Sequence, residues 1–167
     1  MTGRCHRRSA AERELKVLDV NIYRHHCQSP RQYYHQLRQQ GVAAIRLVPQ
    51  LQPQDAEAWG AFLCAVFAIW VREDIGRMVI FPFESALRGW CGEAVRPADA
   101  PVTPDCRDCP WLRLCGGDCP PLNAQNSPNP LCAGYRQFYS MSAPYMRVMR
   151  DLQSQQRSPV ELMPLLR

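Results

Sequence analysis

The chain has 167 residues, of which 46% are hydrophobic and 21% charged, and its formal net charge is +5. This length suits one domain with a modest core, and this composition is that of a globular protein rather than a disordered chain. The arginines are scattered along the sequence, so the charge favours a solvated basic surface and supports nucleic-acid binding only weakly.

The first residues, 1–16, form an N-terminal extension that lacks the apolar stretch of a signal peptide, so we expect a cytoplasmic protein. Residues 17–23 are rich in β-branched and aromatic side chains and predict a strand. Ser29 and Pro30 mark the start of a helix that Gly41 is placed to end. A second strand is predicted over residues 42–48.

A second helix is predicted over residues 55–76. Its apolar residues recur with the helical period; they are Trp59, Phe62, Leu63, Val66, Phe67 and Trp70. The apolar run 58–71 is too short to span a bilayer, and we expect no membrane segment. A third strand over residues 77–83 completes a βαβαβ unit, whose short connections predict a parallel sheet. Three parallel strands do not close a barrel, so we expect exposed sheet edges and self-association.

Five of the nine cysteines fall in one segment: Cys106, Cys109, Cys115 and Cys119 have the spacing C-x2-C-x5-C-x3-C, and Cys132 follows. Short loops can direct several thiolates at one point, which suits a tetrahedral metal centre. Disulfides are disfavoured because no secretory signal precedes the segment. A second zinc half-site of the C-x2-C or H-x3-H kind is missing. The spacing alone leaves structural zinc and an iron–sulfur cluster open.

These patterns divide the chain into five parts. After the extension, residues 17–90 form a partial barrel segment and residues 91–105 a linker rich in Pro and Ala. Residues 106–152 form the cysteine module, whose C-terminal half has a helical pattern that we expect to break near Pro144. Residues 153–167 are predicted to be a polar tail with little to hold it.

Three stretches resemble the C-terminal SPASM domain of the anaerobic sulfatase-maturating enzymes, which belong to the radical S-adenosylmethionine (AdoMet) superfamily. They are the cysteine segment 106–119, Leu-Cys-Ala-Gly-Tyr at 131–135 and Ser-Ala-Pro-Tyr-Met at 142–146. Weaker likeness to the last strands and helices of the family's barrel extends upstream, over residues 21–26, 46–49, 58–60 and 70–77. The resemblance implies an α/β fold, a half TIM-like barrel segment followed by a SPASM-like module and C-terminal helices.

Members of this family oxidise a cysteine or serine of a sulfatase to formylglycine, cleave AdoMet at one [4Fe–4S] cluster and carry two auxiliary clusters. Matched by motif order, Cys106, Cys109, Cys115 and Cys132 correspond to the four ligands of the second auxiliary cluster. Cys119 corresponds to one ligand of the first and would be an orphan ligand here. The resemblance therefore favours a [4Fe–4S] cluster over zinc.

The sequence also departs from the family. The C-x3-C-x2-C triplet that holds the AdoMet-cleaving cluster is absent from this sequence. The block that separates Trp90 from Cys106 in the family looks deleted, and with it three cluster ligands and the proton-abstracting carboxylate. Cys91 stands alone there and matches no ligand position.

Two hypotheses follow. The first is a truncated relative of the maturases with no catalytic residues and no complete AdoMet site, inactive alone and acting with a sulfatase or a second chain that completes the barrel. The second is a non-enzymatic zinc or iron–sulfur module that regulates transcription by binding DNA.

Overall fold

A computed structural model describes residues 15–96, 102–115 and 129–167. Its strands are β1 (Leu18–Ile22), β2 (Ala44–Pro49) and β3 (Val79–Phe81). Its helices are α1 (Pro30–Gln39), α2 (Ala56–Glu73), α3 (Phe83–Trp90), α4 (Pro104–Arg107) and α5 (Cys132–Ser154). Short 3-10 helices cover His26–Gln28, Pro53–Asp55 and Pro159–Leu166.

The strands form one parallel sheet in the order β1-β2-β3, which confirms the predicted βαβαβ unit. Val20 lies opposite Leu47, and Ile45 lies opposite Ile80; all four side chains are buried. The alternate positions are Asp19 and Asn21 on β1, and Arg46, between Ala44 and Val48, on β2. An ion pair of 3.2 Å joins Arg46 to Asp19 on that face. Side chains in a strand alternate between faces, so one face of the sheet is wholly apolar and the other combines apolar side chains with the polar ones of β1 and Arg46.

The third strand is shorter than predicted, covering 79–81 instead of 77–83, and the unpredicted helix α3 begins at Phe83. Pro82 lacks an N–H group for sheet pairing and precedes the first residue of this helix. Phe83, Leu87 and Trp90 recur at helical spacing and are buried, so the periodic signal for this helix was present in the sequence.

Helices α2 and α5 build the centre of the core. The rings of Phe67 and Phe138, both fully buried, meet edge to face with centroids 5.6 Å apart. Trp59 meets Tyr135 in the same way at 5.9 Å. Burying each such ring contributes about 1.5–3 kcal/mol. One continuous core therefore joins the barrel segment to the cysteine module.

The two helices approach so closely at Gly60 and Gly134 that no side chain fits between them. A Cβ atom added to Gly134 would lie 2.3 Å from the carbonyl oxygen of Ala56 and 2.8 Å from the backbone nitrogen of Gly60. Only glycine permits this approach of two backbones. The contact fixes the position of α5 along α2. It therefore also fixes the position of Cys132, the first residue of α5.

The predicted break near Pro144 was wrong, since α5 runs unbroken through this residue. Pro144 removes one hydrogen bond to the carbonyl of Ser140, but both residues are on the exposed side, where water can hydrate that carbonyl.

The predicted loose tail was also wrong. Helix α5 continues to Ser154, and Ser158 and Glu161 form a capping box at the start of the last 3-10 helix. Leu162 and Met163 of that helix are buried in the core. These two apolar side chains hold the tail, since burying each of them gains about 1.5–3 kcal/mol.

Candidate metal centre

Helix α4 positions the first two cysteines of the motif. Thr103 is buried and caps this helix, its hydroxyl accepting a hydrogen bond of 3.2 Å from the backbone N–H of Cys106. The N–H of Cys109 donates to the carbonyl of Cys106 at 3.1 Å. The C-x2-C pair therefore lies on one tight turn.

The third cysteine follows a segment that is fixed to α3 and α5. Leu114 is buried, and its carbonyl accepts a hydrogen bond of 3.4 Å from the hydroxyl of Tyr139. A Cβ atom on Gly89 would lie 2.8 Å from a methyl group of Leu114, so α3 and the loop are in direct contact. The backbone N–H of Cys115 donates to the carbonyl of Trp111 at 3.1 Å.

The fourth cysteine, Cys132, begins α5. Asn129 fixes the start of this helix through two hydrogen bonds. Its side-chain oxygen accepts one from the N–H of Leu131 at 2.8 Å, and its backbone carbonyl accepts one from the N–H of Cys132 at 2.9 Å. Leu131 is buried beside it. Together with the Gly60–Gly134 contact, these bonds direct Cys132 toward the loop.

The thiols of Cys106, Cys109, Cys115 and Cys132 are all free and partly buried. Burial raises the pKa of Cys132, the Arg136 guanidinium lowers it, and ionised Cys115, Cys109 and Cys106 raise it further. A hydrogen bond to Cys109, together with the charge of Cys109, raises the pKa of Arg136. The four thiols thus lie near enough to interact electrostatically. However, in the described ranges no three His, Cys, Asp or Glu side chains are grouped tightly enough to hold one metal ion.

Arg136 was missed by the sequence analysis. It follows Cys132 by four positions on α5, so the two side chains share one helix face. The sequence could have shown this, because an arginine four positions after a candidate ligand cysteine on a helix lies next to it. Its charge favours thiolates, which are the form that binds metal.

The other cysteines have different surroundings. Cys119 and Cys5 lie outside the described residues. Cys91 is part of a disulfide bond, so its sulfur is not a free thiol. Cys27 is free, and burial, then Asp55, raises its pKa to about 11. No helix within the described ranges is long and apolar enough to cross a membrane.

The structure resembles a solved structure described as His6-tagged anSMEcpe with bound AdoMet, with a TM-score of 0.64 and 12% sequence identity. The match covers 86% of this chain and 57% of the other, and at this identity it shows the fold alone. In sequence, the chain is 27% identical over 172 residues to the serine-type anaerobic sulfatase-maturating enzyme of Bacteroides thetaiotaomicron, covering 66% of this chain and 42% of the enzyme. No family model matches the sequence.

The fold and the sequence similarity confirm the resemblance that the cysteine spacing indicated: the chain is homologous to the C-terminal part of the anaerobic sulfatase-maturating enzymes. It is also 45% identical over 150 residues to the uncharacterized protein YidF of Escherichia coli strain K12, covering 83% of this chain and 85% of YidF. The chain therefore belongs to the same family as YidF.

Proposed function

We propose that this protein is a relative of the sulfatase maturases that holds one auxiliary-type [4Fe–4S] cluster and does not cleave AdoMet by itself. Cys106, Cys109, Cys115 and Cys132 are the proposed ligands. The observation that carries the proposal is that Asn129 and the Gly60–Gly134 contact fix Cys132 at the start of α5, while Leu114 ties the loop of the other three cysteines to the same helix. Two segments that are separated in sequence by residues 116–128 would contribute ligands to the proposed site.

The donor set suits such a cluster. Four cysteine thiolates are the usual ligand set of a [4Fe–4S] cluster, one for each iron. When bound, the cluster would supply a site for one-electron transfer, and four protein ligands leave no iron open to a substrate. Arg136, beside Cys109 and Cys132, would offset part of the negative charge that the thiolates bring.

Structural zinc is the competing occupant, because four thiolates also satisfy a tetrahedral zinc site. The homology to a radical AdoMet enzyme family favours iron. Iron and zinc analysis of anaerobically prepared protein, together with its absorption spectrum, distinguishes the two. We expect iron with the broad visible absorption of a cluster; zinc without iron would contradict the proposal.

Serine substitutions test the ligand assignment. We expect Cys106→Ser, Cys109→Ser, Cys115→Ser and Cys132→Ser each to lower the iron content, since each leaves one iron without its protein ligand. Cys119→Ser should retain full iron, as should the control Cys64→Ser, whose partly buried thiol lies on α2. Loss of iron in Cys119→Ser with retention in Cys132→Ser would contradict the assignment.

The biological role we propose follows the family. The protein would act in the cytoplasm with a sulfatase, or with a second chain that completes the barrel, in formylglycine formation. A DNA-binding regulator is the alternative role. Salt-dependent DNA binding by the purified protein would favour that alternative.

A further inference from the structure

Three arginines surround the indole ring of Trp90, the last residue of α3. The guanidinium carbons of Arg113, Arg147 and Arg150 lie 4.3, 5.5 and 5.8 Å from the ring centroid. Arg113 belongs to the cysteine loop, whereas the other two lie on α5. Trp90 itself is only 7% exposed. We call these four residues the arginine–tryptophan patch.

The positive charge of this patch is only partly neutralised. Arg150 pairs with Asp151 at 2.8 Å. Among the described residues, Arg113 and Arg147 have no ion pair, and both are exposed. Cation–π contacts with Trp90 hold the guanidinium groups in place. Two oriented guanidinium groups without carboxylate partners can each bind a carboxylate through paired hydrogen bonds.

The surface beside the patch carries apolar side chains. Val148 is 40% exposed, and Pro144, one turn earlier on α5, is also exposed. Pro144 precedes Arg147 by three residues and Val148 by four, so it adjoins both exposed side chains on the surface of α5. Arginine beside apolar side chains is typical of protein–protein interfaces.

Nucleic acid fits this surface less well. Nucleic-acid sites that lack base-specific contacts rely on aromatic rings open to base stacking, or on many cations along the phosphate backbone. Here the ring of Trp90 is only 7% exposed and lies beneath its arginines, so it is not open to base stacking, and three arginines are few for a phosphate backbone.

We propose that the arginine–tryptophan patch docks an acidic segment of a partner protein, with carboxylates on Arg113 and Arg147 and an apolar side chain against Val148. Arg113 lies on the cysteine loop, but the docking test measures peptide affinity and not metal content. The docking proposal therefore stands or fails separately from the proposed function.

The test measures binding of a fluorescein-labelled Glu-rich peptide that carries two Leu residues, by fluorescence anisotropy at low salt. The double variant Arg113→Gln with Arg147→Gln should bind about five- to tenfold more weakly. The matched control is Arg31→Gln with Arg77→Gln, which removes the same charge at two exposed arginines elsewhere. It should change the affinity less than about twofold. Val148→Ser should also weaken binding of this peptide but not of an all-Glu peptide.

Unfolding curves of both double variants establish that they fold. Equal losses of peptide affinity in the two double variants would overturn the proposal, because binding would then depend on net charge alone. Absence of peptide binding to the wild type would overturn it as well. Tighter binding of a DNA duplex that depends on the same two arginines would identify the patch as a nucleic-acid site instead.

Discussion

Burial raises the pKa of both Cys132 and Cys27, but the charged groups beside these two thiols differ. Arg136 lies beside Cys109 and Cys132, and its charge opposes the rise in the pKa of Cys132 that burial causes. Cys27 has no such cation among the causes of its shift: burial and the carboxylate of Asp55 raise its pKa to about 11. Cys27 therefore remains a neutral thiol at pH 7.

Cys27 gives a pH-dependent contribution to stability. Its pKa is about 11 in the folded protein, against 9.0 for an unperturbed thiol such as that of the unfolded chain. The unfolded state therefore loses its proton first, and the free energy of unfolding falls from pH 9 to pH 11. In Cys27→Ala, the decrease in the free energy of unfolding over this pH range should be smaller by about 1 kcal/mol. The partial exposure of Cys27 keeps the effect this small. Denaturant unfolding of both proteins at pH 8 and pH 11 checks it. The prediction is contradicted if the difference in free energy of unfolding between wild type and variant is the same at pH 8 and at pH 11.

A second residue-scale prediction concerns the buried carboxylate of Asp74. It accepts a hydrogen bond of 2.7 Å from the hydroxyl of Tyr34, which is fully buried, and pairs with Arg38 at 3.2 Å. Tyr34→Phe leaves this carboxylate one hydrogen bond short and should cost about 1–3 kcal/mol. The control Tyr23→Phe changes a ring that is 45% exposed. It should cost less than about 0.5 kcal/mol. Equal effects on the free energy of unfolding would contradict the role of this bond.

At the scale of elements, the crossing of α2 and α5 links the core to the candidate metal centre. Gly60 and Gly134 bring the two backbones into contact, and Cys132 precedes Gly134 by two residues. A shift of α5 would therefore move one proposed ligand relative to the other three, which lie on the loop. Interiors are too closely packed to absorb an added methyl group at such a point.

Gly134→Ala tests this link. Alanine favours an isolated helix by about 1 kcal/mol, but here its Cβ would clash with Ala56, and overpacking costs about 1–3 kcal/mol. We expect a lower free energy of unfolding and a lower iron content. Ala133→Ser, at the exposed neighbouring position, is the control. A variant that gains stability and keeps its iron would show that the close approach is unimportant.

At the scale of the whole molecule, the sheet has three parallel strands and two edges, β1 and β3. A parallel sheet usually has helices on both faces or closes into a barrel. Here one face carries the polar pair of Asp19 and Arg46. The chain also spans less than half of the B. thetaiotaomicron enzyme that it matches.

We expect that this chain alone does not cleave AdoMet. That reaction requires an iron with an open position, held by three closely spaced thiolates, and the proposed site has a fourth protein ligand. Reconstituted protein with a strong reductant should form no 5′-deoxyadenosine above background, while a full-length maturase does so in parallel. Detection of 5′-deoxyadenosine with this chain would refute the prediction.

Self-association through a sheet edge remains a prediction of the sequence. On β1, Leu18 is 44% exposed, and an apolar edge strand is a template for pairing. Sedimentation should show dimers that Leu18→Lys weakens, whereas the control Leu15→Lys, at a residue 38% exposed before the strand, does not. A monomer at high concentration, with slow amide exchange in every strand, would exclude this mode of association.

The sequence alone was sufficient to predict the structural features that depend on residues close together in the chain. Pro30 and the positive φ of Gly41 bracket α1 as predicted, and the alternation of apolar segments predicted the parallel sheet. The resemblance of residues 106–119, 131–135 and 142–146 to the sulfatase-maturating enzymes was also legible in the sequence, because each of these motifs is a run of neighbouring residues.

Only the tertiary structure decided what depends on contacts between distant segments. The pairing of Gly60 with Gly134 and the gathering of three arginines at Trp90 leave no periodic trace in the sequence. The persistence of α5 through Pro144 likewise depends on which side of the helix faces water. An unfavourable helix propensity at such points costs at most a few kcal/mol of stability. The burial of many apolar side chains along α2 and α5 contributes more than this.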